Sequence, residues 1–301
     1  MKLTRRIFLG AASAAALFPV RSFAATQIDF GDVAITSVSD GHLSLPPAFA
    51  LTGLSPEEIA DLSARHNLPA DLHKPPCNLT LLWQGERLVL FDAGAGPDFM
   101  GSAGKVSASL EAIGVSPEEI TDLVITHAHP DHIWGLLDDF DEPVFPNAAL
   151  AMGAREFAYW TDPGTAATIG VERESFAAGA MRRLKPFADS IRLLQDGEEL
   201  MPGVSARLTA GHTPGHMSYE IATPEGRLWV IGDAIGNGHI ALERPEFESS
   251  SDQDPPLGAR TRSALLKALA ASGDAVIGYH LPGSGLGRIR AEGAAFRFEE
   301  I

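Results

Sequence analysis

The sequence predicts a single mixed α/β domain, and three observations support that prediction. Short apolar, β-branched runs alternate along the chain with segments of helical periodicity. With 301 residues, 45% of them hydrophobic, the chain is long enough to bury a large core without disulfides, and it has one cysteine. Four of the apolar runs end at side chains that can bind metal, as expected where strands support a site at a sheet edge.

The first 24 residues have the layout of an export signal. A basic start precedes the apolar run 7–20, and small residues precede a cleavage point after Ala24. Residues 4–9, TRRIFL, resemble a twin-arginine signal. We therefore expect residues 1–24 to direct export and to be removed. Residues 25–301 would then form one mature domain in the periplasm or outside the cell.

Charge and hydropathy restrict the class of partner. A formal net charge of −16 argues against nucleic acid, because phosphates are bound by basic surfaces. The leader contains four basic and no acidic residues, so its removal brings the net charge to −20. No later apolar run approaches the ~20 residues that span a bilayer. We expect a small neutral substrate, and no membrane association once the leader is cleaved.

The N-terminal part of the mature chain predicts strands. Residues 33–38 are β-branched and predict a strand that stops at Asp40–Gly41. Residues 79–83 and 88–91 are two apolar runs separated by the polar segment 84–87. Two apolar runs at this spacing predict a β-hairpin.

Helices are predicted by periodicity and by capping signals. Ser116 followed by Glu119 predicts a capped helix start. Residues 252–258, with Pro255 and Pro256, predict a loop. The segments with helical periodicity are 107–113, which stops at Gly114, and 155–160, 176–184 and 261–271.

Four apolar runs predict strands that each deliver a metal-capable side chain at their C-terminal end. These side chains are His127 after 123–126, His212 after 204–210, Asp233 after 228–231 and His280 after 275–279. Four strand ends on one edge of a sheet can converge on one site, and rigid strands hold such groups better than loops do.

Residues 126–132, THAHPDH, contain the densest group of metal-capable side chains. Imidazole and carboxylate suit zinc and also manganese, iron or cobalt. A tight turn would let His127 and His129 face one ion, and Asp131 and His132 a second. Pro130 would help to fix that turn. The segment therefore predicts a dinuclear metal site.

Four motifs together resemble the metallo-β-lactamase superfamily. They are HAHPDH at 127–132, GHTPGH at 211–216, Gly232–Asp233, and His280. The resemblance implies a four-layer αββα sandwich with a dinuclear site at one edge of two sheets. It implies two divalent cations, with zinc expected and iron, manganese or cobalt as alternatives. It also implies the ligands: His127, His129 and His212 for the first ion, Asp131, His132 and His280 for the second, and Asp233 as the bridge.

Three other residues are expected to have roles other than metal binding. Asp92, after the run 88–91, fits a carboxylate that orients a ligand histidine, or else a turn carboxylate. His216 shares a motif with His212, and we expect it to form a hydrogen bond there. Cys77, beside two prolines, is expected to be a small buried hydrophobic residue.

The predicted chemistry is hydrolysis. Two ions about 3.5–4 Å apart hold a hydroxide between them at neutral pH and polarise a carbonyl or phosphoryl oxygen. No Gly-x-Ser-x-Gly elbow and no glycine-rich phosphate loop is present, so covalent-serine and nucleotide functions lack support. We therefore expect the bridging hydroxide to attack an ester-type substrate. Asp131 and Asp233 are the candidates for moving the leaving-group proton.

Outside the metal motifs the chain is similar to the methyl parathion hydrolase branch. The similar segments are 30–32 with 39–41, 145–148, 179–181 and 289–293. This resemblance implies phosphotriester hydrolysis, and it makes a homodimer a candidate assembly. It also implies an aromatic pocket of Phe99, Trp160 and Phe176, for which the alternative role is the apolar core. His239, soon after Asp233, is expected to border that pocket.

Two segments depart from that branch, namely 234–239 and 281–285. Carboxylic ester hydrolysis therefore stays open. A rival activity is that of a lactonase resembling the acyl-homoserine lactonases, although Gly236 stands where those enzymes place a tyrosine. A rival of another class is a non-catalytic metal-binding protein on the same fold, against which the complete set of ligands argues.

Overall fold

Two seven-stranded β-sheets form the centre of the computed structural model, which describes residues 26–301. The predicted export signal, residues 1–24, lies outside the described residues. The first sheet contains, in spatial order, β1 (Gln27–Asp29), β2 (Val33–His42), β3 (Pro76–Gln84), β4 (Arg87–Phe91), β5 (Asp122–Ile125), β6 (Ala149–Gly153) and β7 (Arg192–Leu194). The second contains β8 (Glu199–Met201), β9 (Val204–Leu208), β10 (Met217–Thr223), β11 (Gly226–Val230), β12 (Ala275–Ile277), β13 (Leu286–Glu292) and β14 (Ala295–Glu300).

Helices connect the strands on the outer sides of the sheets. They are α1 (Pro47–Ala50), α2 (Pro56–Arg65), α3 (Val106–Ala112), α4 (Pro130–Ile133), α5 (Ala154–Thr161), α6 (Thr165–Thr168), α7 (Glu174–Leu184), α8 (Ile240–Glu243) and α9 (Pro255–Ser272). Within residues 26–301, no helix is both long enough and apolar enough to cross a membrane.

Three apolar clusters define the order of the layers. Between the two sheets, Phe91 and Val124 of the first pack with Tyr219 and Val230 of the second. On the outer side of the first sheet, the cluster contains buried residues of α3 and α7. On the outer side of the second, it contains Leu266 and other residues of α9. The predicted mixed α/β fold, with helices outside two packed sheets, is confirmed.

The central strands are apolar on both faces because both faces are covered. In β4, Val89 and Phe91 belong to the cluster between the sheets, whereas Leu90 belongs to the cluster under the helices. Side chains alternate between the two faces of a strand, so a doubly covered strand requires a continuous apolar run. The predicted hairpin is also confirmed, since β3 and β4 pair antiparallel around Gln84 and Arg87.

The strand predicted to stop at Asp40–Gly41 in fact continues to His42. Its register with β3 shifts between Ser39 and Gly41. Gly41 has φ +98° and lies so close to the Ser102 carbonyl that a Cβ there would clash. The buried Asp40 carboxylate accepts four backbone N–H groups, from Ala95 and residues 104–106. The Asp-Gly pair therefore forms a bulge that anchors the neighbouring loops.

Two helix predictions also differ from the structure. α9 begins at Pro255 rather than after residue 258, with Asp254 accepting a hydrogen bond from Leu257 N as the N-cap. Prolines are favourable in the first turn of a helix, where their missing N–H groups have no helical acceptor. The capping box of Ser116 and Glu119 is present, but it starts only a single 3-10 turn, Pro117–Glu119.

Candidate metal centre

The four predicted strand ends meet at one edge of the molecule, and they come from two sheets. β5 belongs to the first sheet, and β9, β11 and β12 belong to the second. β9 and β11 both run antiparallel to β10, and β12 runs parallel to β11. These three strands therefore end on the same side of their sheet. The loop after β5 reaches them from the facing sheet.

The loop after β5 turns sharply into the short helix α4. His127 and His129 lie on the loop, and Asp131 and His132 lie within the first turn of the helix, where Pro130 is at the first position. All four are buried. The turn therefore presents four side chains from six residues to one small volume.

Three histidines form a first group of donor atoms. His127, His129 and His212 each offer a ring nitrogen within 4.8 Å of the other two. His129 Nδ1 lies 2.9 Å from His212 Nε2. These are the three side chains expected to hold the first ion, and the structure brings them together.

Asp131, His132 and His280 form the second expected group. His280 Nε2 lies 3.2 Å from Asp131 Oδ2, and His132 Nε2 lies 3.5 Å from the same oxygen. Asp233 lies between the two groups: its Oδ2 is 3.3 Å from His212 Nε2 and 3.4 Å from His280 Nε2. Its Oδ1 is 3.5 Å from His132 Nε2. Asp233 therefore lies within 3.5 Å of donor nitrogens from both groups.

The donor set fits divalent cations. Two donors that each lie 2.0–2.1 Å from a tetrahedral ion are about 3.4 Å apart, close to the separations given above. Buried atoms without a hydrogen-bond partner among the described residues include His127 Nε2, His132 Nε2, Asp131 Oδ2 and Asp233 Oδ1. A buried polar atom left unpaired costs about 1–3 kcal/mol, so four in one place indicate a bound group.

In the metal-free cluster, opposite charges dominate the protonation of the histidines and carboxylates. Burial opposes the charged form of His132, but the carboxylates of Asp131, Asp233 and Asp92 raise its pKa to about 10. Burial likewise opposes the charge on His212, whereas Asp233 and Asp252 raise its pKa to about 9. Burial would raise the pKa of Asp233, yet the surrounding histidines hold it well below its ordinary value. The cluster is therefore built around negative carboxylates that attract positive charge.

Each ligand histidine has one ring nitrogen directed into the site and the other fixed from outside. A carboxylate or carbonyl accepts from that outer N–H in three of them, and this contact sets the tautomer and the ring orientation. The outer partners are Asp92 for His132 Nδ1 (2.8 Å), Asp252 for His212 Nδ1 (3.0 Å), the Pro76 carbonyl for His280 Nδ1 (2.7 Å), Thr126 Oγ1 for His127 Nδ1 (3.1 Å) and the Gln253 amide for His129 Nε2 (3.3 Å).

Asp92 and His216 lie behind the ligands. Besides His132, the Asp92 carboxylate accepts the Thr126 backbone N–H at 2.8 Å and the Thr126 hydroxyl. Asp92 itself has φ +67°, in the left-handed region that residues other than glycine rarely adopt. His216 Nε2 accepts the Asp233 N–H at 3.0 Å, and its Nδ1 donates to Thr209 Oγ1 at 2.8 Å. With both nitrogens engaged, His216 supports the chain at Asp233.

Glu156 joins the two ligand loops, and the sequence analysis did not identify it. Its Oε1 accepts from Ala128 N (3.0 Å) and Trp160 Nε1 (2.6 Å), and its Oε2 accepts from Thr213 Oγ1 (2.8 Å) and Gly215 N (2.9 Å). Ala128 lies between His127 and His129, and Thr213 follows His212. One fully buried carboxylate therefore connects both loops of the first subsite. The only available signal was an acidic residue within an otherwise apolar helical face.

The sequence analysis also does not identify Asp252 and Gln253, because it predicts residues 252–258 only as a loop. Asp252 is buried and forms an ion pair with Arg262 (3.2 Å) in addition to its contact with His212. Gln253 N donates to the His212 carbonyl at 3.0 Å. These residues precede α9, so the start of that helix fixes the two residues that support the first subsite.

The predicted pocket residues fall into two groups, of which the first consists of Phe99, Trp160 and Phe176. Phe176 and Trp160 both approach the His129 ring edge-on, with centroids 6.0 and 5.8 Å away, and Phe99 packs edge-on against Phe176. Phe99 and Phe176 are partly buried, whereas Trp160 is fully buried in the core.

His239 contacts other histidines instead of the aromatic group. Its ring centroid lies 5.9 Å from that of His66 and 6.0 Å from that of His73.

Comparison with known proteins agrees with this architecture. Residues 74–280 match the family model of the Metallo-beta-lactamase superfamily. A search of curated protein sequences gave no match. A hydrolase in the beta lactamase superfamily, AbOPH, is 27% identical with a TM-score of 0.85, covering 92% of this chain and 97% of that one.

Two further solved structures share the fold. The dizinc quorum-quenching lactonase AidC is 24% identical with a TM-score of 0.85, covering 92% of this chain and 97% of that one. A probable metal-dependent hydrolase from Staphylococcus aureus is 17% identical with a TM-score of 0.73, covering 91% and 99%. The clustered His and Asp donors are placed to bind metal ions. Because residues 74–280 match the family model, this chain belongs to the metallo-beta-lactamase superfamily and is a metal-dependent hydrolase.

Proposed function

We propose that the protein is a dinuclear hydrolase of a small, neutral ester, with an aryl phosphotriester as the first candidate substrate and an aryl carboxylic ester as the second. The position of Asp233 is the observation that supports two ions rather than one. Its two oxygens lie 3.3–3.5 Å from His212, His280 and His132, which belong to different subsites. A single ion would leave one of these groups of donors unpaired.

The positions of the residues support the following roles. His127, His129 and His212 would hold one divalent cation and Asp131, His132 and His280 the other, with Asp233 shared; zinc is the expected metal. When bound, the two cations supply a water of lowered pKa and polarise the oxygen of the substrate.

Two carboxylates are placed to handle the proton. The histidines around Asp233 hold its pKa well below the ordinary value although burial would raise it, so it stays an acceptor at neutral pH. The pKa of Asp131 is also lowered, against burial, by His132 and His280. We propose that one of these two carboxylates passes the proton to the leaving group.

An aromatic group beside the first subsite favours an aryl substituent. Phe176 packs against His129 and Phe99 packs against Phe176, so one phenyl ring lies next to a predicted metal ligand and a second ring packs on the first. Aromatic rings bind other rings edge-on or offset, with a gain of about 0.5–1.5 kcal/mol per pair beyond area burial. A neutral substrate also avoids repulsion by a mature chain of net charge −20.

A lactone is the alternative substrate. The fold of AidC, whose printed description is a lactonase in complex with an acyl homoserine product, superposes on this chain with a TM-score of 0.85. At 24% identity this likeness establishes the fold alone. Gly236, where the acyl-homoserine lactonases place a tyrosine, has no atom within 4 Å of the position that a Cβ would take.

The test compares three substrates on zinc-loaded residues 25–301: an aryl phosphotriester, an aryl carboxylic ester and an acyl lactone. Asp233→Asn is the blank, and Asp139→Asn, at an exposed carboxylate, is the matched control. We expect phosphotriester turnover in the parent and control. The blank should lose more than about 100-fold, because even residues that only support metal ligands cost 10–100-fold. Turnover of the lactone alone would replace the proposal by its alternative, and two bound metals without any turnover would favour a metal-binding protein.

The aromatic group has its own test. Phe176→Ala should raise KM for the aryl substrates by about two- to tenfold, which corresponds to the 0.5–1.5 kcal/mol of one aromatic contact. Phe140→Ala is the control, since Phe140 is 85% exposed. An equal loss for aryl and non-aryl esters in Phe176→Ala would show that the ring supports His129 and does not bind the leaving group.

We also propose that residues 1–24 export the folded protein by the twin-arginine route and that the mature chain begins at Ala25. N-terminal sequencing of protein from the periplasmic fraction tests this. A mature protein that still begins at Met1, or its recovery only from the cytoplasm, would contradict the proposal. We further propose that the mature chain forms a homodimer. The mass of the mature protein, measured by light scattering, tests this, and the mass of a single chain would contradict it.

A further inference from the structure

The single cysteine lies beside the second subsite. Cys77 is the second residue of β3 and is fully buried. Its Sγ lies within 4.8 Å of a carboxylate oxygen of Asp131 and of a ring nitrogen of His280. The preceding residue, Pro76, accepts the His280 Nδ1–H at 2.7 Å, which holds the start of β3 against His280.

A second observation at the same point indicates a ligand. Asp131 is only 6% exposed, yet its Oδ2 has no hydrogen-bond partner among the described residues. That oxygen is also the one 3.2 Å from His280 Nε2. Tyr279 donates its hydroxyl to the backbone carbonyl of Asp131 and not to its carboxylate. A sulfur, an oxygen and a nitrogen thus converge at the second subsite, and the oxygen has no hydrogen-bond partner among the described residues.

We propose that Cys77 Sγ is a ligand of the cation at the second subsite, together with Asp131 and His280. This inference rests on the proposed dinuclear site and adds a sulfur donor to it. On binding, the thiol proton leaves to solvent and the thiolate forms the bond to the cation. A thiolate is a soft ligand, so the second subsite would select zinc or cobalt over manganese and magnesium.

The test is the absorption spectrum of the cobalt(II) form. A thiolate bound to cobalt(II) gives a charge-transfer band in the near ultraviolet, and Cys77 is the sole cysteine of the sequence. We expect the parent chain with two equivalents of cobalt to show this band. Cys77→Ser and Cys77→Ala should lose it, and the affinity for the second equivalent should fall by about 10-fold or more.

Leu79→Val is the matched control. Leu79 follows two residues later on β3 and belongs to the same apolar cluster as Cys77, so it reports the loss of buried packing without the loss of sulfur. Its cobalt spectrum should keep the charge-transfer band. Use of both the serine and the alanine variants of Cys77 protects the test against one of them failing to fold.

The outcomes separate this inference from the proposed function. Two bound cobalt ions with ester hydrolysis but no charge-transfer band would overturn the sulfur ligand and leave the function standing. A band that persists in Cys77→Ala would also overturn it. Two cobalt ions and a band that depends on Cys77, without hydrolysis of any ester, would support the ligand and reject the function. Binding of fewer than two cobalt ions would reject both.

Discussion

Replacing Glu156 by glutamine tests whether one carboxylate positions both ligand loops of the first subsite. The carboxylate accepts four hydrogen bonds, two at each oxygen. Glutamine has a single acceptor oxygen, so its NH₂ group must face two of the four donors. The less costly orientation keeps the oxygen toward Ala128 N and Trp160 Nε1. The Thr213 hydroxyl can then turn to accept, but the Gly215 N–H has no acceptor.

The magnitude follows from these contacts. An unpaired buried N–H costs about 1–3 kcal/mol, and each bond to a charged acceptor loses about 1–1.5 kcal/mol when the acceptor becomes neutral. Burial of the charged carboxylate raises the pKa of Glu156 despite its hydrogen bonds. The neutral glutamine avoids this cost of burying a charge, which offsets part of the loss in stability. We therefore expect the free energy of unfolding to fall by about 3 kcal/mol. For a chain of this size that lowers Tm by roughly 6–12 °C.

The assay measures two quantities on the same variant. Thermal unfolding gives the change in Tm, and competition with a chelator gives the affinity for the first zinc, which should fall about 10- to 100-fold. Glu172→Gln, at an exposed carboxylate, is the control. Unchanged Tm and affinity in Glu156→Gln would refute the reasoning. A lower Tm with unchanged zinc affinity would show that Glu156 stabilises the fold without positioning the ligands.

Three other changes have expected outcomes. Asp252→Asn weakens the acceptor for His212 Nδ1, so zinc affinity measured with a competing chelator should fall about 10- to 100-fold, and an unchanged affinity would count against this role. His132 and His212, with pKa values of about 10 and 9, carry protons at pH 7 in the metal-free chain, and a cation must displace them. Zinc affinity should therefore rise from pH 7 to about 9, and calorimetry in two buffers should show proton release; a pH-independent affinity would contradict this. Tyr279→Phe removes the hydrogen bond to the Asp131 carbonyl, at a cost of about 1 kcal/mol that thermal unfolding would detect as a Tm lower by roughly 2–4 °C.

Local signals predicted most of the elements because each depends on near neighbours in the sequence. Apolar runs gave the strands that carry His127 and His212, and the spacing of 79–83 and 88–91 gave the hairpin. Predictions failed where tertiary contact changed a local preference. Asp40–Gly41 would normally end a strand, but here a buried carboxylate satisfied by four backbone N–H groups keeps β2 in the sheet.

The sequence by itself determined the mixed α/β class and the candidate donors, because ligand chemistry is a property of residue type and the motifs are short. Only the tertiary structure decided which groups support those donors. Glu156, Asp252 and Cys77 lie 28, 40 and 54 residues from Ala128, His212 and Asp131, respectively. No local period relates residues so far apart. Their proximity arises from the packing of two sheets and the start of α9, which close the loops around a single edge.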